Sequence, residues 1–146
     1  MGAVVSTEIS EQEVRDFVTR WFNAVHSRMP LEQQRAFFAP GVGIETWAGI
    51  TLPLEAQVEL HNHLIEESHE FHWLKVNPLP DGRAHATADL RWQATKQTST
   101  PGERRIRADC GEDWLIERGP DGQLRFARYL TSSMRYLPGS AELDLN

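Results

Sequence analysis

The spacing of the apolar residues changes halfway along the chain, from a helical period to the two-residue period of a β-strand. The change comes near residue 72, and three turn signals follow it: Pro80-Asp81-Gly82, Thr100-Pro101-Gly102 and Pro120-Asp121-Gly122. Proline and glycine in such groups favour hairpin turns. The turns delimit four predicted strands, over residues 72–79, 83–97, 104–118 and 124–137. Because each hairpin places a strand beside the next, the second half predicts an antiparallel meander.

The start of the chain carries helical signals instead. Ser10 and Glu13 form a capping-box pattern, and apolar residues follow at helical spacing, which predicts an amphipathic helix over residues 11–27. Pro30 ends this helix, because proline disfavours helical backbone at the residue before it. The same proline suits the first turn of a new, short helix that reaches residue 38.

The sequence next predicts a short strand over residues 42–47 and a third helix over residues 53–70. Projected at 100° per residue, this helix places His61 inside an arc of apolar side chains. A histidine there either forms a hydrogen bond within the core or faces a cavity, where it can act as an acid or base. The nearby histidines include no pair at the i, i+4 spacing of a helical zinc site, so we predict no metal site.

The length and charge of the chain restrict its possible partners. A chain of 146 residues is expected to form a single domain, residues 1–146, with a frayed tail over residues 138–146. Its 15 basic and 21 acidic side chains leave a net charge of −6, which argues against nucleic acid or a membrane surface as a partner. The single cysteine, Cys110, excludes an intrachain disulfide. No apolar run approaches the roughly 20 residues of a membrane span, and no signal-peptide pattern opens the chain, so a cytoplasmic protein is expected.

Three segments carry a resemblance to a known superfamily: EVRDFVTRWFNAV, FFAPGVGIETWAG and GEDWLIERGPDGQLRFARYL. Together with the order of the elements, they resemble the nuclear transport factor 2-like superfamily, which includes SnoaL-type polyketide cyclases, ketosteroid isomerase and scytalone dehydratase. The resemblance implies an α+β fold, in which a cone-like curved antiparallel sheet wraps around three N-terminal helices. It also implies a pocket for a small apolar molecule on the concave face of the sheet, and a homodimer through the polar outer face.

The resemblance further indicates one acidic residue in the strand over residues 104–118, and two positions compete for it. Strict alternation places Glu112 among the apolar residues of the strand, whereas the acid-x-apolar pattern of the superfamily favours Asp113. A β-bulge at Gly111 would reverse the register, so both residues are candidates. A carboxylate buried in the pocket would have a raised pKa and could act as a general acid or base. The alternative is a buried acid paired with an arginine such as Arg128.

Seven large apolar side chains are predicted to line the pocket, because rings set among small residues can wall a cavity: Phe17, Trp21, Trp47, Leu64, Trp92, Trp114 and Phe126. Filling of the core is the alternative role for these side chains.

The hypothesis that follows is a SnoaL-like small-molecule enzyme that transfers protons by acid/base chemistry without a cofactor, as an isomerase, dehydratase or cyclase. Glu112 or Asp113 would be the acid or base, with His61 as its partner. Thr46 stands where the carboxylate base of ketosteroid isomerase would be, which argues against that particular reaction. Two alternatives stay open: a non-catalytic ligand-binding or dimeric scaffold protein, and an accessory subunit resembling the small subunit of ring-hydroxylating dioxygenases.

Overall fold

Three helices and six strands form the part of the chain that the computed structural model describes, residues 8–97 and 104–143. The helices are α1 (Glu11–His26), α2 (Leu31–Arg35) and α3 (Leu54–Asn62). The strands are β1 (Ile44–Glu45), β2 (Thr51–Leu52), β3 (Leu64–Pro78), β4 (Ala84–Lys96), β5 (Arg105–Arg118) and β6 (Leu124–Tyr136). They form one curved open sheet in the order β2-β1-β6-β5-β4-β3, antiparallel except for the pair β1–β6. The predicted α+β architecture is confirmed.

The first helix, α1, forms where the capping box predicted it. The Ser10 hydroxyl accepts a hydrogen bond from the Glu13 amide, and the Glu13 carboxylate accepts one from the Ser10 amide, so two amides of the first turn are satisfied. The helix ends just before Arg28, which adopts a left-handed conformation with φ of +56°, two residues before Pro30. The buried face of α1, which packs against the concave side of the sheet, consists of Val14, Phe17, Val18, Trp21, Phe22, Ala24 and Val25.

The third helix is shorter than the sequence predicts, and the strand after it is longer. α3 ends at Asn62 and not at residue 70, and β3 begins at Leu64 and not near residue 72. Residues 64–71 form a strand because they pair with residues 90–96 of β4, which satisfies their backbone groups in a ladder. Tertiary pairing overrides the local preference of this polar stretch for helix.

The other three strands of the predicted meander are confirmed to within one residue at each end. Gly82 and Gly122 adopt φ values of +89° and +81° in the first and third hairpin turns, which a side chain at either position would disfavour. The turn predicted over residues 100–102 lies outside the described residues. β4 and β5 nevertheless pair continuously, from Ala84 opposite Ile116 to Thr95 opposite Arg105.

Alternation along β4 and β5 gives the sheet one apolar and one polar face. The buried residues of the two strands are Ala84, Ala86, Ala88, Leu90, Trp92 and Ala94 in β4, and Ile106, Ala108, Cys110, Glu112, Trp114 and Ile116 in β5. The residues between them form the outer face, where Arg91 Nε lies 2.7 Å from Asp109 Oδ1. The concave face is therefore apolar with a single buried carboxyl group in β5.

The tail after β6 is not frayed over residues 138–143, in contrast to the expectation. The Ala141 amide donates a hydrogen bond to the Arg105 carbonyl, and the Leu143 amide donates one to the Tyr136 hydroxyl. The first of these bonds continues the ladder of β5 beyond the end of β6. The second fixes Leu143, which lies at the wall of the cavity described below.

None of the helices within the described ranges is long and apolar enough to cross a membrane.

Candidate active site

A cavity of about 60 Å³ lies between α1, α3 and the concave face of the sheet. Most of its wall is aromatic or aliphatic, and the polar or titratable side chains that reach it are Thr46, Gln57, His61, His69, Cys110, Glu112, Tyr129 and Thr131. Pockets that enclose drug-sized ligands usually measure about 300–1,000 Å³. In this conformation the cavity therefore admits a compact molecule.

Glu112 presents the buried carboxyl group of this cavity. The residue is 6% exposed, and its Oε2 accepts a hydrogen bond of 3.0 Å from the Thr131 hydroxyl. Arg128, the alternative partner, lies elsewhere and binds Glu45 with an Nε–Oε2 distance of 2.8 Å. Burial raises the pKa of Glu112 well above its ordinary value, although the bond from Thr131 acts in the opposite direction. The site therefore favours a neutral Glu112 that carries a proton.

The pairing of β5 with β4, which has no register shift, decides between the two acidic candidates. Glu112 points into the cavity, whereas Asp113 lies on the outer face, where its Oδ1 is 3.0 Å from His85 Nε2. Asp113 is thus not a cavity residue, and its prediction as an alternative acid or base is corrected. No bulge occurs at Gly111 on β5, because β5 pairs residue for residue with β4.

The irregularity expected at Gly111 lies on the neighbouring strand. Gly111 pairs with Ser133 and Glu112 with Thr131, so Ser132 is an extra residue in β6. A Cβ atom at Gly111 would lie 2.6 Å from the Ser133 Oγ and 2.8 Å from the Ser132 Oγ. Glycine therefore makes room for the bulge of β6, and the bulge brings Thr131 beside Glu112.

His61 forms a hydrogen-bonded pair with a second acid, Glu67. The His61 Nδ1 lies 2.9 Å from both carboxylate oxygens of Glu67, and the Trp92 Nε1 donates a bond of 3.1 Å to Glu67 Oε2. The side chains of His61 and Glu67 are 12% and 3% exposed. His61 comes from the end of α3, and Glu67 from the start of β3.

The contacts of His61 indicate which ring nitrogen carries the proton. A carboxylate only accepts hydrogen bonds, so Nδ1 donates to Glu67. The Nε2 lies 2.7 Å from the Gln57 Nε2, an amide donor, and therefore accepts. In this tautomer the lone pair of the ring is on Nε2, and the Gln57 amide occupies it in this conformation.

A bulge in β3 directs Glu67 towards His61. Between the pairs Ile65–Thr95 and Ser68–Gln93, β3 contains one residue more than β4, and Glu66 adopts a left-handed conformation with φ of +53°. Such a conformation is uncommon outside glycine, because the Cβ crowds the backbone. The strained residue thus turns the side chain of Glu67 inwards.

The predicted pocket lining is only partly observed. Trp21, Trp47 and Trp92 line the cavity. Four residues are buried in the core, where the ring of Phe17 packs against that of Phe126 with centroids 4.8 Å apart and planes inclined by 50°: Phe17, Leu64, Trp114 and Phe126. The described residues contain no group of three or more histidine, cysteine, aspartate or glutamate side chains that could hold a metal ion.

Sequence reasoning missed Glu67 and His69, because it assigned both to a helix. The signal that could have found them is the alternation after Leu64, in which Glu66, Ser68 and Glu70 are exposed. The intervening side chains then share the inner face of a strand. Gln57 and Thr131 carried no distinguishing pattern.

Comparison with solved structures places this architecture among known folds. The chain matches a candidate scytalone dehydratase from Novosphingobium aromaticivorans with a TM-score of 0.70 and 11% identity, over 86% of this chain and 83% of that one. A protein with a cystatin-like fold from Caulobacter vibrioides matches with a TM-score of 0.64 and 16% identity, over 86% and 88%. The chain has the nuclear transport factor 2-like fold.

A third similar structure contains a small ligand. It is a protein from Catenulispora acidiphila in complex with S-DNPA, with a TM-score of 0.64 and 19% identity, over 86% of this chain and 91% of that one. No protein-family model and no curated protein sequence matches the chain. At these identities the likeness establishes the fold alone, and the activity has to be inferred from the site.

Proposed function

We propose that this protein is a cofactor-independent enzyme that transfers protons on a compact, largely apolar molecule, as a dehydratase or isomerase does. One observation carries the proposal: Glu112, whose pKa burial raises well above its ordinary value, and His61, whose Nδ1 is bound to Glu67, line the same cavity. A buried carboxyl group and a histidine that reach the same cavity are the components of general acid–base catalysis.

In a dehydration, the substrate displaces the Gln57 amide from His61 Nε2, and this nitrogen takes the proton from a carbon next to a carbonyl group of the substrate. Glu112 gives its proton to the leaving hydroxyl oxygen, so that one molecule of water and an unsaturated product form. In an isomerisation, the same two groups remove a proton from one carbon and return a proton to another. Glu67 is a positioning residue, because it holds the Nδ1 proton and stabilises the imidazolium that forms.

The composition of the cavity wall supports one class of substrate over another. Trp21, Trp47 and Trp92 provide flat apolar surfaces, whereas none of the arginine and lysine residues in the described chain reaches the cavity. Such a wall favours an uncharged cyclic molecule over an organic anion. The volume of about 60 Å³ favours a single ring over a fused polycyclic system.

The test is proton exchange in D₂O on a panel of single-ring β-hydroxyketones and cyclic enones. Deuterium incorporation and loss of water are followed by NMR and mass spectrometry. The wild-type protein is expected to catalyse one of these processes, and His61→Gln and Glu112→Gln are each expected to slow it by about 100-fold or more. Asp113→Asn, on the outer face beside Glu112, is the matched control and should keep the wild-type rate. An absence of exchange over the whole panel, or equal rates in all variants, would contradict the proposal.

We also propose that the outer face of the sheet forms a homodimer. Several of its charged side chains are already paired within the chain, as in Arg125–Glu117 at 2.7 Å and His85–Asp113 at 3.0 Å, and paired charges are less costly to bury than single ones. Trp73 is 52% exposed on the same face. Sedimentation velocity should show a dimer that Trp73→Glu dissociates, and a wild-type monomer would refute the interface.

A further inference from the structure

Two histidine rings connect the cavity with the surface. His69, in β3, lines the cavity, and its Nδ1 lies 2.6 Å from the Nε2 of His26 in the last turn of α1. The two rings are nearly parallel, with centroids 4.9 Å apart and planes inclined by 19°. His26 is half-buried, whereas His69 lies at the cavity wall. This pair is separate from the His61–Glu67 pair, and the acid–base steps assigned to His61 and Glu112 above do not use it.

The ring of His69 is held in a fixed orientation. Phe22 stacks on it with a centroid distance of 4.1 Å and an interplanar angle of 8°. The Nδ1 is bound to His26, and the Nε2 has no hydrogen-bond partner among the described residues. Because the ring contributes to the cavity wall, its Nε2 is available to a molecule in the cavity.

The contact between the two rings requires a proton on one of its two nitrogens. Burial lowers the pKa of His69 well below its ordinary value, and the neighbouring His26 and His61 act in the same direction. Burial also lowers the pKa of His26, although Glu67 partly opposes this. Both rings are therefore neutral near pH 7. Between two neutral imidazoles, a short N–N contact requires one nitrogen to donate and the other to accept.

We propose that His69 and His26 form a proton relay between the cavity and solvent. This inference rests on the proposed function, because it supplies the route by which protons leave and re-enter the site. His69 would be a further acid–base residue that touches the substrate, and His26 a relay residue that acts through it.

The relay works by a concerted change of tautomers. In one arrangement His69 Nε2 is unprotonated, His69 Nδ1–H donates to His26 Nε2, and His26 carries its own proton on Nδ1, the nitrogen at which the relay exchanges protons with water. When His69 Nε2 accepts a proton from the substrate, the Nδ1 proton moves to His26 Nε2, and His26 Nδ1 releases a proton to water. The pair now has the opposite tautomers. When a proton enters at His26 Nδ1, each step runs in reverse, and His69 Nε2 releases a proton into the cavity. One outward and one inward transfer therefore restore the original tautomers of both rings.

The first test reads the hydrogen bond directly and needs no substrate. In protein with ¹⁵N-labelled histidine, NMR should detect a scalar coupling between His26 Nε2 and His69 Nδ1 across the shared proton. The four ring nitrogens of the pair should show shifts that average between protonated and unprotonated values, whereas the exposed His63 serves as the internal reference. Absence of the coupling, or a single fixed tautomer in both rings, would overturn the relay even if the enzyme is active.

The second test measures turnover with the D₂O assay described above. His26→Phe should slow exchange by about tenfold or more, and added imidazole should restore the rate, because a diffusible base replaces the missing relay residue. His63→Phe, a histidine substitution at an exposed position, should have neither effect. His26→Gln repeats the test if the phenylalanine variant fails to fold. A His26 variant that keeps the wild-type rate, or one that imidazole does not restore, would overturn the relay.

The two tests separate the failure of the relay from the failure of the proposed function. If no substrate of the panel is turned over, the NMR coupling and tautomer exchange still report whether the pair can conduct a proton. If the His61 and Glu112 variants lose activity while the His26 variants retain it, the proposed function stands and the relay does not.

Discussion

His61 Nδ1 lies 2.9 Å from both carboxylate oxygens of Glu67, six residues further along the chain. The two residues belong to different elements, since His61 is near the end of α3 and Glu67 is near the start of β3. The turn between them is short because Leu64 already begins the strand. Glu67 accepts hydrogen bonds from both His61 and Trp92, and these two bonds hold the His61–Glu67 pair in one geometry.

Replacing the Glu67 carboxylate should reduce the activity of His61 as a base more than it reduces the stability of the fold. In Glu67→Gln the amide oxygen can still accept the bond from Trp92, but the amide group no longer stabilises a positive charge on His61. We expect the D₂O exchange rate to fall by about 100-fold, and ¹⁵N NMR to show a shift of the His61 tautomer. Glu66→Gln, one residue away with its side chain exposed, is the matched control. Equal rates in the two variants would show that Glu67 is not a positioning residue.

Glu112 should make the protein less stable as the pH rises. Above the pKa of an unfolded glutamate, near about 4.3, the unfolded chain loses this proton while the folded protein keeps it. The free energy of unfolding then falls by about 1.4 kcal/mol per pH unit from this group, until the pH reaches the raised pKa of the folded state. Urea titrations between pH 4 and 8 should show Glu112→Gln gaining stability over the wild type with rising pH. A constant difference between the two proteins would contradict the raised pKa.

His69 should make the protein less stable as the pH falls below neutral. Its lowered pKa means that the unfolded chain binds a proton below about pH 6.5 while the folded ring resists protonation. Stability from this group is thus present above pH 6.5 and is lost as the pH falls towards the folded pKa. Urea unfolding at pH 5, 6 and 7 should show a smaller acid loss for His69→Gln than for wild type. His63→Gln, whose side chain is 70% exposed, should keep the wild-type slope.

The tail contacts predict a local effect on amide exchange. In Tyr136→Phe the Leu143 amide loses the hydroxyl that accepts its hydrogen bond, which costs about 1 kcal/mol of local stability. Hydrogen exchange at Leu143 should therefore accelerate by about fivefold, whereas the amides of β4 should exchange as in the wild type. Unchanged exchange at Leu143 would show that the hydroxyl does not hold the tail against the cavity.

Several parts of this structure could be predicted from local sequence alone. The capping box at Ser10 and the prolines after residue 28 bound the first helix, because these residues act on the backbone within a single turn. Gly82 and Gly122 mark two hairpins for the same reason. Strict alternation in β5 also favours Glu112 as the buried acid, and the order of these elements indicates the fold.

Other features depended on contacts between segments that are distant in the sequence. The stretch after Asn62 resembles a helix locally, and its pairing with β4 is what makes it a strand. That pairing creates the bulge at Glu66, turns Glu67 towards His61 and brings His69 to His26 on another element. Likewise, the extra residue in β6 decides which side chain meets Glu112. The sequence by itself therefore determined the elements, their order and one buried acid, since turn and capping preferences and side-chain alternation are local. Only the tertiary structure decided the partners of that acid and of His61. A one-residue bulge changes the direction of a side chain, although the sequence around it hardly differs from that of a regular strand.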